Sequence, residues 1–134
     1  MDESFMIELA CARLIHQLAA ANDAARWEDA AALFTDDGLF ARPTAPEEPI
    51  VGREAILAAF RSRPSRLTRH FVSNIVVTVE DLGSARAHSL VQLYTEAEGG
   101  HAKPPLIGEF HDRFVLTAAG WRFGERRGML VFRR

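Results

Sequence analysis

The stretch Thr68-Arg69-His70-Phe71-Val72-Ser73-Asn74-Ile75-Val76-Val77-Thr78-Val79 decides the fold. Its β-branched and aromatic residues favour a pleated, half-buried strand. Three stretches of the same kind follow, Ala85–Glu96, Pro105–Thr117 and Trp121–Phe132. The breaks between them are Asp81-Leu82-Gly83-Ser84, Gly99-Gly100 and Ala118-Ala119-Gly120. Connections this short join antiparallel neighbours, because parallel pairing needs a long crossover.

Upstream the periodicity changes. Ile7, Ala10, Leu14, Leu18 and Ala21 fall at three- and four-residue spacing, which predicts a helix from Ser4 to Ala21 with Ser4 as its cap. A second short helix after Asp23 would place Trp27, Ala30, Ala31 and Phe34 on one face. Thr35-Asp36-Asp37-Gly38 would stop it and lead into a strand at Leu39–Arg42. Pro43 to Pro49, with three prolines, reads as a surface loop, and Gly52 to Arg63 as a third helix. Helices followed by a curved sheet make an α+β arrangement of N-terminal helices packed on a mixed or antiparallel sheet.

The chain of 134 residues predicts a single domain, 1–134, with one core. A net charge of −2 favours neither nucleic acid nor an anionic membrane as partner. No apolar run is long enough to span a bilayer. Cys11 is the only cysteine, and the start Met1-Asp2-Glu3-Ser4 lacks the basic opening of a secretory signal. Together these predict a cytoplasmic protein.

Alternation along the strands sorts side chains into faces. His70, Val72 and Asn74 share one face of the first long strand, and Phe71, Ser73 and Ile75 the other. Leu106, Gly108, Phe110, Asp112 and Phe114 share a face, as do Arg122, Gly124, Arg126, Gly128 and Leu130. Glycines inside strands mark bends or a close approach to the backbone. Phe71, Ile75, Val77 and Val79 form a candidate contact surface for a second copy.

Several motifs together are familiar: Asp23-(three residues)-Trp27, Leu33-Phe34-Thr35-Asp36-Asp37-Gly38, Gly52-Arg53-Glu54-Ala55-Ile56, His70-Phe71 and Gly120-Trp121-Arg122-Phe123. In that order they resemble the SnoaL-like family of the nuclear transport factor 2-like superfamily, in the branch of scytalone dehydratase and hexachlorocyclohexane dehydrochlorinase. The resemblance covers nearly the whole chain and implies a cone-shaped fold. It also implies an Asp–His dyad at Asp23 and His70, an active-site arginine at Arg126, and a pocket lined by Val91, Leu93, Leu106, Gly108, Phe110, Gly128 and Leu130. The pocket lysine and substrate-holding histidine and tyrosines of those two enzymes are replaced here, at or near Leu18, Asn22, Arg42 and Thr95, so neither substrate carries over.

A carboxylate that orients an imidazole makes a general base, and an arginine beside it stabilises a developing anion. This equipment suits elimination, isomerisation or cyclisation of an apolar, cyclic small molecule without a cofactor. The residues taken singly allow plainer roles. Asp23 can cap the next helix, His70 can be a core histidine, and Arg126 in Glu125-Arg126-Arg127 can make a structural ion pair. A non-catalytic binding or assembly subunit, like the small subunit of a ring-hydroxylating dioxygenase, is the alternative function. No close pair of His, Cys or carboxylates has metalloprotease spacing, so no metal is expected. The resemblance also implies a homo-oligomer, dimer or trimer.

Overall fold

A computed structural model describes residues 2–133; Met1 and Arg134, the ends of the expected 1–134 domain, lie outside the described residues. The first helix, α1 (Glu3–Asp23), starts earlier than predicted because Asp2, not Ser4, caps it by accepting from the Phe5 N–H at 2.9 Å. It also runs to Asp23 rather than stopping at Ala21. Its inner face carries Ile7, Cys11, Leu14, Ile15, Leu18 and Ala21. A short helix α2 (Trp27–Ala31) follows, with Arg26 at its N-cap position, so Asp23 does not cap it.

The strands are β1 (Phe34–Arg42), β2 (Ala45–Val51), β3 (Thr68–Asp81), β4 (Ser84–Thr95), β5 (Leu106–Thr117) and β6 (Gly120–Leu130), with helix α3 (Arg53–Arg61) between β2 and β3. They form one sheet in the order β2-β1-β6-β5-β4-β3. All neighbours are antiparallel except β1 and β6, so the sheet is mixed. The three helices pack on one side of it, chiefly α1 against β3.

The stretch predicted as a proline loop is largely a strand. Ala45–Val51 pairs with β1 at the sheet edge. An edge position tolerates Pro46 and Pro49, because a proline there loses no ladder hydrogen bond on its solvent side. Phe34 belongs to β1 rather than to the second helix. The pair Gly52-Arg53 has a mechanical task. Gly52 caps α3 at φ 98°, and Arg53 donates to the Phe34 carbonyl at 2.6 and 3.0 Å, tying α3 to β1.

Two bulges overturn the predicted faces. Asn74 adopts φ 54°, and the β3–β4 register slips between Ser73 and Val76. Ile75, Val77 and Val79 therefore turn inward onto the core, while Phe71 and Val76 stay exposed. The expected contact surface on β3 is corrected accordingly. On β6 the register slips beside Gly124, so Phe123 rather than Gly124 shares the inner side with Arg126 and Gly128.

The core beneath α1 centres on Phe34, Phe40, Phe60, Phe114 and Phe123, whose neighbouring rings lie 5.0–5.9 Å apart. Truncating one such ring to alanine costs about 3–5 kcal/mol. Beside this core, between the sheet and the helices, lies a cavity.

Gly128 was expected to line that cavity and does not; Pro43 and Phe110 cover it. A methyl group there would lie 2.6 Å from Pro43 Cγ and 2.9 Å from Phe110 Cε1. Gly128→Ala is therefore expected to destabilise the protein by about 1–3 kcal/mol. Urea melts should show part of that loss recovered by Pro43→Ala in the same chain, and an additive double mutant would contradict the contact.

Candidate active site

The cavity encloses about 470 Å³ between the sheet and the helices, a size suited to a one- or two-ring molecule. Leu18, Trp27, Phe40, Val72, Val91, Leu93, Leu106, Phe110 and Leu130 supply apolar wall. Of the predicted lining, Val91, Leu93, Leu106, Gly108, Phe110 and Leu130 face it, and Gly128 does not.

Asp23 and His70 meet at its wall. Asp23 ends α1, and His70 lies near the start of β3, so docking α1 on β3 brings them together. His70 Nδ1 is 2.6 Å from Asp23 Oδ1. The same carboxylate accepts from the His70 backbone N–H at 2.8 Å and from Thr68 Oγ1 at 3.0 Å. A side chain bonded to backbone and ring of one residue cannot pivot freely. With Nδ1 donating to Asp23, the lone pair is left on Nε2, which has no protein partner among the described residues.

The electrostatics of His70 are contested among its neighbours. Burial pushes the imidazole below its ordinary value of 6.5. The hydrogen bond and charge of Asp23 push it up, and Arg63 and Arg126 push it down again. The balance is downward, so the ring is neutral at pH 7 and able to accept a proton.

Arg126 is 4 % exposed and reaches the cavity from β6. Its guanidinium carbon lies 3.6 Å from the Phe110 ring centroid. Its partner is Asp112, the residue opposite it on β5, at 3.2 Å, and not Glu125. Asp112 Oδ1 and Ser89 Oγ are buried without a partner among the described residues. Burial raises the Asp112 carboxyl and lowers Arg126, while their mutual attraction opposes both shifts. Arg126 thus has a structural ion pair and a cavity position at once.

Two features escaped the sequence. Arg63, just beyond α3, lies in the cavity wall with its guanidinium carbon 4.6 Å from the Phe60 ring centroid. Its neighbourhood depends on three separate segments, which no local pattern announces. The other is a cluster on β4 and β5, His88, Glu109 and His111, whose ligating atoms lie within 4.8 Å of one another. Glu109 stands 3.6 Å from His88 Nε2 and 3.3 Å from His111 Nε2, so the two rings gather on its carboxylate.

A cone of helices on a curved mixed sheet, open at one end to a cavity, is the nuclear transport factor 2-like fold. The chain belongs to the SnoaL-like domain family, which matches residues 5–127. Among solved structures, a Novosphingobium aromaticivorans protein provisionally described as a scytalone dehydratase superposes with a TM-score of 0.85 at 23% identity, covering 98% of this chain and 88% of that one. Another from the same organism, provisionally described as an aromatic ring hydroxylase, gives 0.82 at 21% identity, with coverage of 94% and 90%. A Catenulispora acidiphila structure in complex with S-DNPA gives 0.75 at 22% identity, covering 93% of each. Likeness at these identities concerns the fold. No match emerges among curated proteins. Among the described residues no helix is long and apolar enough to cross a membrane.

The expected titration of His70, followed by NMR, has a midpoint below 6.5. Asp23→Asn should lower it further, and Arg63→Met should raise it. Because the folded value is depressed, the contribution of His70 to stability is complete above the unfolded value and disappears as pH falls through the folded one. A midpoint above 6.5 would contradict this balance of charges.

Proposed function

We propose that this chain is a cofactor-independent lyase or isomerase that removes a C–H proton from a small molecule with an apolar, cyclic body. The observation that carries the reading is the 2.6 Å contact of Asp23 and His70 in the wall of an apolar cavity. His70 Nε2 accepts the proton, and Asp23 stabilises the imidazolium that results. The electron pair left on carbon forms a double bond as a leaving group departs from the adjacent carbon, or moves onto a conjugated oxygen. The imidazolium then returns its proton to a departing hydroxide or to another carbon, or loses it to solvent where a halide departs. Arg126 supplies positive charge at the cavity floor for the developing anion, held in place by Asp112 and Phe110. Dehydration, dehydrohalogenation and cyclisation share this first step.

A homo-oligomer, dimer or trimer, and a cytoplasmic setting belong to the same proposal. The second reading is a binding or assembly subunit, favoured by the likeness to the structure described as an aromatic ring hydroxylase.

Proton abstraction can be read without knowing the substrate. Cyclic monoketones and β-hydroxyketones incubated with the protein in D2O are expected to exchange their α-hydrogens faster than in buffer alone, as followed by NMR. His70→Ala should slow exchange by about 10²–10⁴-fold, and Asp23→Asn should also slow it. Equal exchange rates in the wild type and His70→Ala would sink the base and favour the binding subunit.

A further inference from the structure

The charges around the cavity do not match a wholly apolar guest. Its wall includes Arg42, Arg63, Arg66 and Arg126, against a single carboxylate, Asp23. Asp23 is committed to His70 and Thr68, and Arg126 has its own counter-ion in Asp112. Arg42 is exposed and 4.0 Å from Glu48 at the strand edge.

Arg63 is different. It has no carboxylate within ion-pair distance among the described residues, and its Nη1 donates to the neutral Asn22 Oδ1 at 2.6 Å. Asn22 is itself fixed, because its amide nitrogen donates to the Leu18 carbonyl at 3.0 Å. The guanidinium packs over the neighbouring rings of Phe60, at 4.6 Å, and Trp27, at 5.7 Å from the ring centroids. An arginine carries five N–H donors, and most of these have no protein acceptor here. Burying a cation without a counter-ion is expensive, and two further arginines close by make it more so. Burial together with Arg42 and Arg66 pushes Arg63 down to about 10. It is still charged at pH 7. The cavity therefore holds a fixed, partly desolvated guanidinium with unused donors, backed by two aromatic rings.

We propose that the cavity's substrate is an organic acid, an apolar ring bearing a carboxylate, with Arg63 as the residue that anchors the carboxylate. The inference rests on the proposed function of the same pocket and narrows its substrate class. A planar carboxylate satisfies the guanidinium in two parallel hydrogen bonds, which fixes the ring's direction as well as its position. The apolar walls then take the ring, and the His70 edge faces its carbons. Binding also changes the base. A carboxylate on Arg63 cancels one of the two positive charges that, with burial, hold His70 down, leaving burial, Asp23 and Arg126 to set its basicity.

The test uses a matched pair of probes, 2-naphthoate and 2-naphthylmethanol, titrated calorimetrically into the intact protein. Naphthoate is expected to bind about tenfold more tightly at low salt, the scale of a charge-assisted hydrogen-bonded pair. Arg63→Met, which keeps an apolar stem on Phe60, should reduce the preference to within about twofold while the alcohol binds as before. Arg63→Lys should keep part of it. A second readout needs no variant: saturating naphthoate should raise the His70 midpoint in the wild type, and the alcohol should not. Equal affinity for the two probes, a preference that survives Arg63→Met, or an unmoved midpoint under naphthoate would each overturn the anchor. His70→Asn separates the two readings. It should abolish hydrogen exchange and leave the naphthoate preference intact, whereas His70-dependent exchange without any anion preference would remove the anchor alone.

Discussion

One carboxylate holds the two halves of this chain in register. Asp23 ends α1, where the helix dipole disfavours a negative charge, and it compensates through three contacts with β3. Those contacts fix the docking of the longest helix against the first strand of the long antiparallel run. They also set the direction of the His70 ring. A single side chain thereby couples the packing of the fold to the chemistry at its open end. Loss of Asp23 would leave a part-buried N–H and a part-buried imidazole without their acceptor, which disturbs structure and reactivity together.

The sheet does the rest through irregularity. A regular β3 would present one apolar face along its whole length, but Asn74 switches the inward side midway. Before the switch the inner side faces the cavity with His70 and Val72; beyond it, Ile75, Val77 and Val79 seal the core. The slip beside Gly124 does the same for β6, with Phe123 in the core and Arg126 in the cavity floor. Each strand thus serves a dry end and a reactive end. The buried Arg126–Asp112 pair marks the boundary between them, and removing either partner from such a pair costs about 3–5 kcal/mol.

Much of this was legible in the chain. The helix under Ile7, Leu14 and Leu18 and the four long strands follow from periodicity, because their faces are strongly divided between core and solvent. Asp23 and His70 stood out because their local frames resemble those of a known family. The misses have common causes. Pro46 and Pro49 look like a loop until the strand is known to be an edge, and an edge is a property of the sheet. The bulge at Asn74 reverses every face assignment after it, yet alternation alone assumes none. Gly128 looked like an opening for a ligand, whereas Pro43 occupies the space. Arg63 was invisible as a functional residue because Asn22, Trp27 and Phe60 reach it from three parts of the chain.

The cavity therefore joins apolar walls to an excess of positive charge around one neutral imidazole. That imidazole serves as a base only in one tautomer, with the proton on Nδ1 facing Asp23 and the lone pair on Nε2. The direct measurement is the nitrogen-15 NMR spectrum of His70 in the resting protein above its titration midpoint. A protonated Nδ1 and an unprotonated Nε2 are predicted. A proton on Nε2, with Nδ1 bare against the carboxylate, would contradict the dyad and the function built on it.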